Sequence, residues 1–101
     1  MKKTNEIALE ESHLILIEDS LYFTQLKDIK NPLIADKKKL IFKIVDRFKV
    51  TESIAKKYIN ILESRNLIEI SKDAVYYNQK KFNERKNKEL NIDKYFENQV
   101  K

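Results

Sequence analysis

Glycine and cysteine are both absent from the 101 residues, and histidine occurs once, as His13. Without glycine the chain cannot form a glycine-rich phosphate loop, because the backbone conformations of such loops require glycine. Without cysteine it has no disulfide, no thiolate metal site and no cysteine nucleophile, which suits a reducing compartment. A zinc site would need carboxylates in place of the missing ligands. We therefore expect no bound metal, no cofactor and no enzymatic activity.

Long hydrophobic runs are missing as well. No segment approaches the length needed to cross a membrane, and the first residues lack the layout of a signal peptide. We therefore expect a soluble, cytoplasmic protein that does not enter a membrane. The length fits one domain, and the 42% of hydrophobic residues are enough for a small core.

The net charge of +5 is unevenly distributed along the sequence. Residues 31–66 contain nine basic and four acidic side chains, and residues 80–101 contain seven and four, whereas residues 1–30 have a net charge of −2. Such asymmetry is typical of a protein that binds a polyanion. The alternative is a solvated, lysine-rich helix surface that has no polyanionic partner.

The middle of the sequence predicts one helix with a clear start, a buried stripe and a clear end. Thr51 is a suitable N-cap, because its hydroxyl can accept a hydrogen bond from a free backbone N–H of the first turn. Ala55, Ile59 and Leu62 follow at spacings of four and three, which places them on one face. Asn66 tolerates the left-handed conformation and can therefore close the helix.

This stretch resembles the recognition helix of winged helix-turn-helix domains. The residues that match the family pattern are Val50, Thr51, Lys56, Lys57, Tyr58, Ile59, Asn60, Leu62, Glu63, Asn66, Leu67 and Ile68. The resemblance extends over residues 31–78. Residues 32–34 and the helix pair are also similar to the domain that follows the catalytic part of Fic-type proteins. The resemblance implies a mostly α fold with a small β-hairpin, in which an N-terminal helical segment and a C-terminal helix flank a winged helix-turn-helix.

Ahead of this region, the sequence favours two helices. The first runs from Asn5 to about Ile17, and the second begins at Asp19 or Ser20 and ends at Asn31–Pro32, because the residue before proline disfavours the helical region. His13 is predicted to be a partly buried structural residue. A hairpin of residues 13–17 with residues 21–25 remains an alternative, since a continuous apolar run is also typical of a buried strand.

A further helix is predicted from Asp36, as N-cap, to Phe48. After the recognition helix, residues 67–70 and 74–77 are predicted to be the two strands of the wing. Their turn either holds Lys72 or Asp73 in an unfavourable conformation or is looser than two residues. Residues 1–79 would form the domain, and residues 80–101 a basic polar spacer with a short terminal helix. Four apolar residues of this tail are candidates for dimerisation or for packing back on their own domain: Leu90, Ile92, Tyr95 and Phe96.

In the winged helix-turn-helix family, residues at the start and on the exposed face of the recognition helix reach base edges. Carried over by position, these are Glu52, Ser53, Lys56, Lys57 and Asn60. Sequence-independent phosphate contacts are expected from basic residues of the preceding helix and the wing, namely Lys37, Lys38, Lys39, Lys43, Arg47 and Lys72. The resemblance thus implies a small double-stranded DNA-binding protein, a transcriptional regulator whose size fits a phage or mobile element.

A second apolar stripe on the recognition helix supports an alternative function. Ile54, Tyr58 and Ile61 recur at spacings of four and three, and a helix that is apolar on two faces is packed on two sides. Either the N-terminal segment covers this stripe or a partner protein does. The alternative is therefore a winged-helix protein-interaction module, such as an inhibitor or a subunit of a complex.

Overall fold

A computed structural model describes the backbone of residues 2–100 and the side chains of residues 9–89. Over that range the protein is mostly helical, with a small antiparallel sheet. The elements in chain order are α1 (Lys2–Lys27), β1 (Leu33–Asp36), α2 (Lys37–Phe48), α3 (Glu52–Ser64), β2 (Ile68–Ser71), β3 (Ala74–Tyr77) and α4 (Gln79–Val100). The predicted fold class, mostly α with a small β-hairpin, is confirmed.

Helix α2 begins and ends where local chemistry requires. The carboxylate of Asp36 accepts hydrogen bonds from the backbone N–H groups of Lys38 and Lys39, so Asp36 is the predicted N-cap. Lys49 adopts a left-handed conformation with φ of 55° and ends the helix. The buried face of α2 consists of Leu40, Ile41 and Ile44.

Helix α3 also follows its prediction. The hydroxyl of Thr51 accepts a hydrogen bond of 3.2 Å from the backbone N–H of Ile54. Ala55, Ile59 and Leu62 are fully buried. Asn66 lies in the left-handed region with φ of 62°, which lets the chain leave the helix without glycine.

The N-terminal segment differs from its prediction, because α1 is one continuous helix. Neither the break between two helices nor the alternative hairpin of residues 13–25 is present. The buried residues Leu14, Ile17 and Leu21 continue at spacings of three and four past the expected boundary. Asp19 caps no helix here, and its carboxylate instead accepts a 2.8 Å hydrogen bond from Arg85 of α4. Long-range packing therefore outweighs the local capping signal.

Strand β1 was not predicted. It lies between Pro32 and α2 and pairs with β3, which gives a three-stranded antiparallel sheet in the order β1-β3-β2. A four-residue strand has little periodicity of its own, and its partner lies about 40 residues further along the chain. The wing itself is confirmed as strands β2 and β3, and Lys72 occupies the unfavourable turn position with φ of 56°.

The stretch predicted as a polar spacer is instead the first half of α4. Asn78 caps this helix by accepting a 3.0 Å hydrogen bond from the backbone N–H of Lys81. Phe82 is 1% exposed, and the guanidinium of Arg85 lies 4.0 Å from the ring centroid of Tyr22. The domain boundary at residue 79 stays a prediction. The dimerisation candidates Leu90, Ile92, Tyr95 and Phe96 lie outside the described side chains.

The core brings all parts of the fold together. Leu14, Tyr22, Ile59, Val75 and Phe82 come from α1, α3, β3 and α4 and belong to one buried cluster.

Within the part of the chain that the structure describes, no helix combines the length and apolar character that a membrane crossing requires.

Candidate nucleic-acid interface

The tip of the wing is fixed against the start of α2. The backbone N–H of Lys37 donates a 2.7 Å hydrogen bond to the carbonyl oxygen of Asp73 in the wing turn. Lys72, Asp73 and Asp36 line a common groove. This contact places the exposed Lys72 beside the first turn of α2, which contains three lysines and no acidic residue.

The same end of α2 adjoins the start of α3. Lys38, Phe42 and Glu52 line one groove between these helices. The first turn of α2, the wing tip and the start of α3 therefore form a continuous surface. It contains five of the predicted DNA contacts, which are Lys37, Lys38, Lys39, Lys72 and Glu52.

The exposed face of α3 carries the predicted base-reading residues, and its lysines are already paired. Ser53 and Asn60 are exposed and uncharged. Lys56 lies 3.3 Å from the carboxylate of Glu52, and Lys57 lies 3.5 Å from that of Glu10 in α1. Such exposed ion pairs are weak, about 0–1 kcal/mol each, so a phosphate could displace them. The other lysines of this surface lie on α2 and the wing, where Asp36 and Asp73 offset part of their positive charge.

Lys43 and Arg47 do not join this surface. They lie on the other side of α2, where they line a groove against α1 together with Ile17 and Ser20. The guanidinium of Arg47 also lies 5.1 Å from the ring centroid of Phe48. The sequence grouped these two basic residues with Lys37–Lys39 as phosphate contacts. Lys43 and Arg47 lie on the α1 side of α2 and Lys38 on the α3 side, while Lys39, four residues before Lys43, adjoins the α1 side.

The second apolar stripe of α3 is covered from within the protein. Tyr58 is 4% exposed, and its hydroxyl oxygen lies 2.9 Å from Nδ1 of His13 in a hydrogen bond. Burial raises the pKa of the Tyr58 hydroxyl, and the negative charge of Glu10 raises it further. Ile54 and Ile61 are half-buried and pack against the core. The sequence left open whether an N-terminal segment or a partner protein covers this stripe. In the structure, helix α1 of the same chain packs against it at Tyr58.

His13 is half-buried, as predicted, and connects three helices. Its ring lies 4.4 Å from that of Phe48 in α2 and 5.7 Å from that of Tyr58 in α3, measured between ring centroids. The hydrogen bond to Tyr58 gives this side chain a structural role at the back of α3.

Phe42 is a surface residue that the sequence analysis missed. It is 72% exposed in the middle of α2, beside Lys38. Its position off the inward stripe of Leu40, Ile41 and Ile44 was a signal that could have identified it. Its side chain borders the groove between α2 and α3 together with Lys38 and Glu52.

No group of three histidine, cysteine, aspartate or glutamate side chains among the described residues could hold a metal ion. No family model, curated protein or solved structure matches this chain, so its function has to be inferred from the geometry above.

Proposed function

We propose that this protein binds double-stranded DNA and acts as a small transcriptional regulator in the cytoplasm. The observation that carries the proposal is the hydrogen bond from the Lys37 backbone to the Asp73 carbonyl, which fixes the wing tip beside the basic first turn of α2. It brings Lys72 of the wing tip close to Lys37–Lys39, on a surface that also contains the carboxylates of Asp36 and Asp73.

This surface suits phosphate groups through its lysine side chains. The backbone N–H groups at the start of α2 are already bonded to Asp36 and Asp73, so the ammonium groups of Lys37–Lys39 and Lys72 would donate the charge-assisted hydrogen bonds to phosphate. The wing tip and α2 would then contact the DNA backbone, which supplies affinity without sequence preference.

Helix α3 would provide the sequence preference. Ser53, Lys56 and Asn60 lie on its exposed face, and asparagine can form two hydrogen bonds with adenine while lysine donates to guanine. Glu52 opposes DNA binding, because its carboxylate adds negative charge at the start of α3 and pairs with Lys56. We therefore assign the electrostatic attraction of DNA to α2 and the wing, and the discrimination between base sequences to α3.

The test is a titration of random duplex at several salt concentrations, followed by fluorescence anisotropy. The logarithm of the association constant should fall linearly with the logarithm of the salt concentration. Lys38→Ala or Lys72→Ala should each reduce the magnitude of this slope by about 0.9, because each removes one phosphate contact. Lys43→Ala is the matched control, since this lysine lies on the α1 side of α2. Glu52→Gln should act in the opposite direction and tighten binding.

An equal loss of slope in all three lysine variants would mean that general charge, rather than this surface, attracts DNA. Absence of binding at low salt would end the DNA proposal.

Protein interaction is the second candidate function. The observation that favours it is on α1, where Leu9, Leu16 and Phe23 are exposed. The stripe of Ile54, Tyr58 and Ile61 does not support it, because α1 and the core cover those side chains.

A further inference from the structure

The outer face of α1 carries an uncharged stripe that is largely open to solvent. At its end, the ring of Phe23 lies 5.8 Å from that of Tyr22, between centroids, and 6.0 Å from the guanidinium of Arg85. Leu9 is 56% exposed, Leu16 is 43% exposed and Phe23 is 54% exposed. They recur every seven residues, so they share one face of the helix, opposite the buried Leu14 and Leu21. Two exposed serines lie on the same face. We name the five residues Leu9, Ser12, Leu16, Ser20 and Phe23 the α1 stripe.

The α1 stripe is symmetric about Leu16. A serine lies four residues away on each side, and a large apolar residue lies seven residues away on each side. A two-fold interface requires that residue i of one copy contacts residue j of the other, and j contacts i. Two antiparallel α1 helices with Leu16 at the axis meet this condition, since Leu9 then faces Phe23 and Ser12 faces Ser20. The small serines let the helices approach closely.

The charges beside the α1 stripe favour the antiparallel order. Lys27 and Arg47 line the groove that contains Leu16 and Phe23. A parallel pair would bring these basic side chains of the two copies together, whereas an antiparallel pair separates the Lys27 positions by about 30 Å along the helices. The like charges of the two Lys27 side chains are therefore apart in the antiparallel order.

The exposed apolar area sets the expected strength of the contact. A half-exposed leucine or phenylalanine side chain leaves on the order of 100 Å² open to water, so the three large residues offer roughly 300 Å² per copy. A stable interface buries about 800 Å² per partner. The α1 stripe offers less than half of that area, so the dimer should be weak and reversible, with a dissociation constant expected on the order of 100 μM.

We propose that the α1 stripe is the interface between two copies of this chain, which pack antiparallel about a two-fold axis at Leu16. The interface shares no residue with the surface formed by the wing tip and the first turn of α2. It therefore does not depend on the proposed DNA binding, and either proposal can fail alone.

Sedimentation of the full-length chain over a range of concentrations tests the dimer. The wild type should change from monomer to dimer, and Leu16→Glu should stay monomeric, because two carboxylates would meet at the axis. Ile15→Glu is the matched control: Ile15 is 56% exposed on the same helix but is rotated about 100° away from the α1 stripe. It should dimerise as the wild type does.

Both changes are at exposed positions, so circular dichroism should show wild-type folding for each variant. A wild type that remains monomeric at about ten times the expected dissociation constant would overturn the proposal, as would a dimer that survives Leu16→Glu. A double change in the tail, Tyr95→Ser with Phe96→Ser, should leave the dimer intact. Its loss in that variant would move the interface to the tail and overturn the assignment to α1.

Cysteine cross-linking tests the antiparallel order, because the natural chain contains no cysteine. Under mild oxidation Leu16→Cys should form a disulfide-linked dimer. A mixture of Ser12→Cys and Ser20→Cys chains should give the mixed dimer, and neither should cross-link to itself. Rapid self-cross-linking of Ser12→Cys would indicate a parallel pair and contradict the proposed arrangement.

Discussion

Tyr77 illustrates how a single buried side chain links the fold to pH. Its ring is 2% exposed and lies 5.9 Å from the ring of Phe82, measured between centroids, in an edge-to-face arrangement. Burial raises the pKa of the Tyr77 hydroxyl to about 12, and the nearby carboxylate of Glu18 contributes in the same direction. The folded state therefore keeps this hydroxyl protonated at pH values where an unfolded tyrosine ionises.

The raised pKa predicts alkaline destabilisation. The stabilisation from Tyr77 is fully present below pH 10, the ordinary tyrosine value, and is lost as the pH rises from 10 through about 12. We expect this residue to account for a fall of about 2 kcal/mol in the free energy of unfolding across that window. Urea unfolding at a series of pH values should show a smaller fall for Tyr77→Phe than for the wild type.

Tyr76→Phe is the matched control for this experiment, since it makes the same change at the half-buried neighbouring position. Equal losses of stability in the wild type and in Tyr77→Phe would show that other groups cause the alkaline transition.

At the scale of elements, α4 provides the sharpest test of the fold. Phe82 in α4 is 1% exposed, and Phe42 in α2 is 72% exposed. Phe82→Ala should cost about 3–5 kcal/mol, because it leaves a cavity among Tyr22 and Tyr77. Phe42→Ala should change stability by less than about 0.5 kcal/mol. Thermal and urea unfolding measure both effects, and similar melting temperatures for the two variants would show that α4 does not contribute to the core.

The elements that the sequence predicted correctly are those that short-range chemistry determines. The N-caps Asp36 and Thr51 accept hydrogen bonds from backbone N–H groups that lie no more than three residues away in the sequence. Asn66 and Lys72 supply the left-handed positions in a chain without glycine. These signals are local, so α2, α3 and the wing could be placed within one or two residues.

The elements that the sequence did not predict depend on contacts between distant parts of the chain. Strand β1 exists because β3 offers it a partner. The polar stretch of α4 is ordered through Phe82 and through Arg85, which contacts Asp19 and Tyr22 in α1. The separation of Lys43 and Arg47 from the other basic residues of the candidate site likewise depends on where α1 packs. Periodicity within one segment contains no information about such partners.

At the scale of the whole molecule, the two proposed surfaces use different parts of the fold. The candidate nucleic-acid surface is built from the wing tip, the first turn of α2 and the start of α3. The α1 stripe lies on the face of α1 that points away from the core. Helix α1 connects the two, because its inner face packs on α3 through the hydrogen bond between His13 and Tyr58. A dimer formed through α1 would therefore leave both nucleic-acid surfaces available.

This arrangement predicts that affinity depends on duplex length. A duplex of about 15 bp holds one copy, whereas one of about 40 bp can hold two copies at half-sites spaced by whole helical turns. A dimer contact raises the effective concentration of the second copy, so the wild type should bind the long duplex on the order of tenfold more tightly per copy. Leu16→Glu should lose this preference, while Ile15→Glu should keep it. In both variants binding to the short duplex should match that of the wild type, because neither residue belongs to the surface formed by the wing tip, the first turn of α2 and the start of α3. A length preference that persists in Leu16→Glu would show that two copies on DNA do not meet through the α1 stripe.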